Sequence, residues 1–154
     1  MPSHDPTHCH ERLGTLMAEQ NAQLAALERL LTREHEMLQA RDVEGLDRSG
    51  TERQQCIGQI ARLEDERREL CRAAGRADDP AALHSLLTWC DPTGLLRPVM
   101  REYLERTQRC REQNDRNGIL VNARLQRSPG MEGRIYGFDS GPVFGYGCKF
   151  TTCA

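Results

Sequence analysis

The 154-residue chain is poor in aromatic residues and in lysine, and it has no long apolar run. Aromatic side chains make up 5% of it, and Lys149 is the only lysine among 21 basic residues. No stretch of about 18 apolar residues occurs, so no transmembrane helix or stable membrane insertion is predicted. The first residues lack the basic-then-apolar layout of a signal peptide, which predicts a cytoplasmic protein. Acidic and basic residues are interspersed, so no nucleic-acid partner is predicted.

Motifs for catalysis and for cofactors are missing as well. The sequence contains no phosphate-binding P-loop, no GxGxxG, no HExxH and no GxSxG pattern. The seven cysteines are odd in number and form no CxxC pair, which argues against a disulfide framework. We therefore predict no enzyme, no cofactor and no metal site, and interpret three cysteines as core residues: Cys56, Cys71 and Cys110.

Residues that favour helices are abundant. Leu, Ala, Glu, Gln and Arg dominate as far as Gln126. Apolar residues recur at alternating steps of three and four, which is typical of a heptad seam. In the first helix this seam is Leu13, Met17, Gln20, Leu24, Leu27, Leu31, Glu34 and Leu38. The predicted fold class is all-α, an elongated antiparallel helical bundle of three long helices and one short helix with an irregular C-terminal tail.

Turn and capping residues set the predicted boundaries. We expect a disordered N-terminal arm over residues 1–10, a helical bundle over 11–127 and a flexible C-terminal tail over 128–154. Within the bundle, the predicted helices are 11–40, 52–74, 80–89 and a last helix that opens at Asp91-Pro92 or at Thr93 and runs to Gln126. The two glycines of segment 41–50 predict a turn, alone or with a helical piece inside it, and Thr51 is the predicted N-cap after it.

The seam of the last helix carries two asparagines, Asn114 and Asn117. A buried asparagine needs partners for its amide, so the pair is interpreted as a device that fixes helix register. Gly118 weakens the helix, and beside two buried amides it indicates close approach of a neighbouring backbone.

The segment after Ser128-Pro129-Gly130 changes character. It is rich in glycine, low in charge and holds all three phenylalanines and two of the three tyrosines. A disordered tail does not usually concentrate aromatic residues. The sequence therefore predicts either a docking segment or a strap that folds back on the bundle.

Two short motifs resemble those of the FlgN family, the flagellar export chaperones for the hook–filament junction proteins. The family shows N-x-x-N-G followed by apolar residues in its last helix, matched here by the run from Asn114 to Leu120. It also shows an apolar-Tyr-Gly motif in its tail, matched by Ile135-Tyr136-Gly137.

This resemblance implies a cytoplasmic helical bundle that holds the C-terminal segments of hook-associated junction proteins and hands them to the flagellar export gate. It implies that premature assembly of these partners is prevented without a cofactor. Carried over by position, the substrate-binding helix comprises Asn114, Asn117, Gly118, Ile119, Leu120, Val121 and Leu125. The residues implied for docking on the export gate are Tyr136 and Gly137.

Two alternatives stand beside the chaperone interpretation. A structural coiled-coil protein would self-associate through the seam from Leu24 to Leu38. A thiol- or metal-responsive sensor would use the N-terminal set His4, His8, Cys9 and His10, whose imidazole and thiolate groups suit soft metals.

Overall fold

The computed structural model describes residues 5–76 and 80–125. Its helices are α1 (Pro6–Ala40), α2 (Val43–Ala73), α3 (Pro80–Cys90) and α4 (Arg97–Leu125), of 35, 31, 11 and 29 residues. No strand occurs within the two described ranges, and the predicted all-α class is confirmed. None of the described helices is both long and apolar enough to cross a bilayer.

Helix α1 begins at Pro6, whereas the sequence pattern predicts Glu11. Asp5 is its N-cap, and the carboxylate accepts a hydrogen bond of 3.0 Å from the backbone N–H of Thr7. Pro6 suits the first helical position because the N–H that it lacks has no helical partner there. The predicted disordered arm is therefore wrong for residues 6–10, which are helical and bury Cys9.

Only two residues separate α1 from α2, although the glycines of segment 41–50 predict a longer break. Arg41 reverses the chain with a φ of 56°. Asp42 then caps α2 by accepting a hydrogen bond of 2.9 Å from the N–H of Gly45. Leu46 is fully buried, so its packing outweighs the low helix propensity of the glycines. The predicted N-cap at Thr51 is wrong, because Thr51 lies inside α2.

Helix α3 begins at Pro80 as predicted, but α4 begins at Arg97 and not at the Asp91-Pro92 pair. The Asp91 carboxylate accepts hydrogen bonds of 2.9 Å from the N–H groups of Leu95 and Leu96. Between them Gly94 has a φ of +75°, a conformation that glycine adopts without strain. Asp91 therefore caps a short loop that precedes the helix.

Helix α1 packs along both α2 and α4 and is the centre of the bundle. Across the α1–α2 interface Arg12 pairs with Glu66, and Arg33 pairs with Glu52. Residue numbers increase along α1 in the direction in which they decrease along α2, so these two helices are antiparallel, as predicted.

Helices α1 and α4 run parallel, which corrects the predicted antiparallel arrangement for this pair. Asn21 donates to the C=O of Val99, and Asn117 donates to the C=O of Leu31. Residue numbers therefore increase in the same direction along both helices. The physical reason is that α2 already returns the chain to the end of the bundle where α1 starts. Helix α3 stays at that end, where its last residue contacts His10, so α4 leaves from there in the same direction as α1.

The buried residues form two apolar clusters. The larger cluster joins the α1 seam to α2, α3 and the first half of α4. The smaller cluster lies at the opposite end, where Leu38, Leu46 and Val121 are buried and Met37 and Leu120 pack against them. This second cluster holds the C-terminal half of α4, which contains the predicted site.

Candidate functional site: the C-terminal half of α4

Asn117 is fully buried and joins α4 to α1. Its Nδ2 donates to the C=O of Leu31 at 2.9 Å, and its Oδ1 accepts from Gln113 Nε2 at 2.9 Å. Nδ1 of the His35 ring lies 3.1 Å from the same Oδ1. Gln39 Nε2 donates to the other ring nitrogen, so the hydrogen-bond network assigns the His35 proton to Nδ1. The buried amide is thus satisfied at both of its polar atoms.

Asn114 lies one turn earlier, is half-buried and faces α2. Its Oδ1 accepts from Arg53 Nη1 at 3.4 Å. Arg53 Nε lies 3.5 Å from the Glu34 carboxylate, to which Ser49 donates at 3.2 Å. Because these distances are long for hydrogen bonds with charged partners, the network links α1, α2 and α4 less tightly than Asn117 links α4 to α1.

The apolar residues that follow the asparagines face different surroundings. Gly118 is buried, and the side chain of Val121 is 3% exposed in the cluster with Leu38 and Leu46. Leu120 is half-buried against that cluster. Ile119, by contrast, is 66% exposed. The C-terminal half of α4 therefore has one face fixed to the bundle and one open face on which Ile119 is the large apolar residue.

The predicted site residues fall into three groups. Four lie on the face held by the bundle: Asn114, Asn117, Gly118 and Val121. Ile119 is open to solvent and Leu120 is intermediate. Outside the described residues and side chains lie the rest: the side chain of Leu125, and Tyr136 and Gly137.

Sequence reasoning missed a buried polar network near the middle of the bundle. Gln20 donates to Glu64 Oε1 at 3.1 Å, and the Tyr103 hydroxyl donates to the same oxygen. Arg67 pairs with the other carboxylate oxygen at 2.6 Å. Burial, together with the Glu64 carboxylate, raises the pKa of Tyr103 well above its usual range. The available signal was the polar residue Gln20 in the α1 seam, which indicates where the network lies but does not identify the partner.

The five cysteines within the described residues are all free and buried, which confirms the core interpretation of Cys56, Cys71 and Cys110. Burial raises the pKa of Cys110 to about 12. Burial and the neighbouring Cys90 raise the pKa of Cys9 to about 12 as well. These thiols stay protonated at neutral pH, and the thiolate is the reactive form.

The N-terminal histidines and Cys9 do not assemble into a metal site in the part of the chain that the structure describes. Cys9 is turned into the core, whereas His8 is exposed on the first turn of α1. No group of three His, Cys, Asp or Glu side chains is placed to hold a metal ion among residues 5–76 and 80–125. His4 lies outside those residues.

The fold and the buried amide define a class of protein, a helical bundle built on one central helix whose last helix is locked in register by an asparagine. The sequence matches the family model described as FlgN protein over residues 10–130. The match spans most of the chain, so the chain belongs to the FlgN family, and the resemblance seen in the motifs is confirmed. Membership indicates a flagellar export chaperone in general terms. Neither a curated protein nor a solved structure matches the chain.

Proposed function

We propose that the chain is a cytoplasmic chaperone of flagellar type III export that binds the C-terminal segments of hook-associated junction proteins. In this proposal it keeps these clients from assembling prematurely and delivers them to the export gate. The observation that carries the proposal is the FlgN match over residues 10–130, which includes the whole of α4. The proposal contains no catalytic step and no cofactor.

The proposed client surface begins on the open face of α4. Ile119 is 66% exposed on a helix whose opposite face is fixed by Asn117 and Val121. An apolar side chain on an immobilised helix is pre-organised for docking, because little backbone freedom is lost on binding. An amphipathic client segment that covers this face would bind in the helix-in-groove manner, and Leu125 would extend the contact beyond Ile119.

The proposed division of labour places client binding on the C-terminal half of α4 and on the residues that follow it, and places docking on the export gate at a short motif within residues 128–154. In this scheme Tyr136 and Gly137 dock on the export gate. We expect Tyr136→Ala to leave helicity and client affinity unchanged while it weakens binding to the gate. A cooperative loss of helicity by circular dichroism would instead assign a structural role to Tyr136.

The self-associating coiled coil is less well supported. That alternative needs the α1 seam from Leu24 to Leu38 to be available for a second chain. Within the single chain Leu24 is 3% exposed and Leu31 and Leu38 are fully buried. The seam is already covered by the other helices, so it offers no contact to another copy.

The first experiment is co-purification with the C-terminal segment of a hook-associated junction protein from the same genome. The full chain is compared with a chain that ends at Gln126. We expect binding by the full chain and a loss of affinity in the shortened chain. Absence of binding by both chains would contradict the proposed function.

A matched pair of variants tests the open face directly. Removing a buried Ile side chain from an interface is expected to weaken binding by about 1.5–3 kcal/mol, roughly a ten- to hundredfold rise in Kd for Ile119→Ser. Asp115→Ser, at an exposed position one turn earlier, is the control and should leave Kd nearly unchanged. Isothermal titration calorimetry gives both values, and equal affinities for the two variants would move the client surface elsewhere.

A further inference from the structure

A groove of about 1190 Å³ runs between α1 and α2. Ala26, Leu30 and Cys56 form its apolar floor, and Leu30 and Cys56 are less than a tenth exposed. Gln55 and Gln59 stand exposed on its rim. Charged residues line it as well, namely Glu28, Arg29, Arg33 and Glu52, and Arg33 pairs with Glu52 at 3.2 Å. Cavities that hold small molecules measure about 300–1,000 Å³, so a groove of this size also has room for a few residues of polypeptide.

The polar side chains on the rim indicate which conformation of polypeptide the groove suits. Gln55 and Gln59 offer amide donors and acceptors, which pair with backbone N–H and C=O groups that lack partners. A helix satisfies these groups internally, whereas an extended segment brings them to its binding site. The charged rim residues and the amides both offer partners to an exposed backbone, so a groove with this apolar floor fits an extended segment with apolar side chains better than it fits a client helix.

The chain itself contains such a segment in residues 126–154. Six of the 13 glycines lie there, with two prolines, and the segment has no helical apolar period. Its large apolar residues are Met131, Ile135, Tyr136, Phe138, Val143, Phe144, Tyr146 and Phe150. Its sequence thus supplies both features that the groove selects, apolar side chains and a backbone that is not committed to a helix.

The segment starts close enough to reach the groove. The end of α4 packs at the small cluster, where Val121 is buried and Met37 contributes from α1. Met37 lies one turn beyond Arg33, a residue that lines the groove, on the same face of α1. From Met37 to Leu30 is about 10 Å along the helix axis. Residues 126–134 span about 30 Å when extended, so Ile135 can be placed over the groove floor.

We propose that the α1–α2 groove seats the chain's own C-terminal segment, with the stretch from Ile135 to Tyr146 lying over Leu30 and Cys56. When no partner is bound to the protein, the seated segment covers Tyr136. If Tyr136 docks on the export gate, its release from the groove would control when docking occurs. This last consequence rests on the proposed function, whereas the seating itself does not.

Disulfide trapping in the isolated full chain tests the seating. Cys153→Ser leaves Cys148 as the one thiol after Leu125, and Gln59→Cys adds a thiol at the groove rim. Glu112→Cys in the same Cys153→Ser background is the control, since Glu112 is exposed on α4 outside the groove lining. Diamide accepts the two electrons and two protons released as each disulfide forms. Non-reducing gels and peptide mass spectrometry measure the rate and the pairing.

Seating holds the Cys148 thiol near the groove rim and raises its effective concentration there. We therefore expect Cys148 to pair with Gln59→Cys about tenfold faster than with Glu112→Cys. Rates within a factor of about two, or no intramolecular disulfide in either variant, would overturn the proposal. A disulfide between two chains at Gln59→Cys would also overturn it and would place a second copy in the groove. Circular dichroism of both variants verifies the fold, and no client is needed, so this outcome is independent of the co-purification.

Discussion

Asn114 and Asn117 carry the same side chain one turn apart, yet their surroundings differ. The sequence places both on the apolar seam of α4 and interprets both as register devices. In the structure Asn117 is fully buried and bonded at both polar atoms, with 2.9 Å to Leu31 and 2.9 Å to Gln113. Asn114 is half-buried and has one hydrogen bond of 3.4 Å, to Arg53. The register is therefore fixed chiefly by Asn117.

We expect Asn117→Ala to destabilise the bundle by about 2–4 kcal/mol, because it removes a buried amide and takes one hydrogen bond away from each of its partners. Asn114→Ala is the matched control and should lower the free energy of unfolding by less than about 1 kcal/mol. Guanidinium unfolding followed by circular dichroism at a single pH compares the two. Equal losses would mean that both asparagines fix the register to the same extent, and would contradict the leading role of Asn117.

The periodicity of the sequence therefore identifies which residues enter the core but not which partners they find. Gln20 and Glu34 stand at positions of the α1 seam, and both are buried. Their partners Glu64 and Ser49 come from α2, at separations along the chain that no local pattern encodes. In the candidate site, likewise, the N-x-x-N-G motif identifies the helix α4. It does not indicate that Asn117 is buried while Ile119 is exposed.

At the scale of elements, α2 shows where local propensity misleads. The glycines at 45 and 50 predict a break, and Thr51 is a good capping residue. The helix nevertheless starts at Val43, because Leu46 and Ser49 gain buried partners only if this stretch is helical. Predictions from caps succeeded where no buried residue competed, as at Pro80 for α3.

The two candidate caps of α2 give opposite predictions. Asp42→Ala removes the hydrogen bond to the N–H of Gly45 and should destabilise the protein by about 1 kcal/mol. Thr51→Ala places a better helix former at an exposed position inside the helix and should be neutral or stabilising by a few tenths of a kcal/mol. Thermal unfolding of the two variants decides between the caps. A loss at Thr51→Ala with none at Asp42→Ala would restore the later start of α2.

At the scale of the whole molecule, heptad seams and turns predict four helices but not their mutual directions. Helix α2 is antiparallel to α1 and ends beside the first turns of α1, where Arg12 pairs with Glu66. Helix α3 packs at that same end, so α4 starts there and runs parallel to α1 and antiparallel to α2. That α4 lies along α1 is decided by the contacts of the assembled core, which no local pattern encodes.

The assembled core also predicts how the protein responds to alkali. Burial raises the pKa of Cys110 from 9.0 to about 12, and the pKa values of Cys9, Cys56 and Cys90 are raised too. Above pH 9 the unfolded chain releases these protons while the folded chain retains them. The folded state then binds more protons than the unfolded state, so the contribution of these thiols to stability is constant below about pH 9 and falls as pH rises towards 12.

Cys110→Ala should make the loss of stability between about pH 8 and about pH 10.5 smaller by about 1–2 kcal/mol. Ile60→Val is the control, because it truncates a buried side chain without removing a thiol and should lower stability equally at both pH values. Guanidinium unfolding under reducing conditions gives the free energy of unfolding of each variant and of the unsubstituted chain at both pH values. If Cys110→Ala lost as much stability on going to pH 10.5 as the unsubstituted chain, the Cys110 thiol would ionise in the folded protein as easily as in the unfolded one. Its place in a dry interface between α1 and α4, where Sγ donates to the C=O of Leu24, would then be wrong.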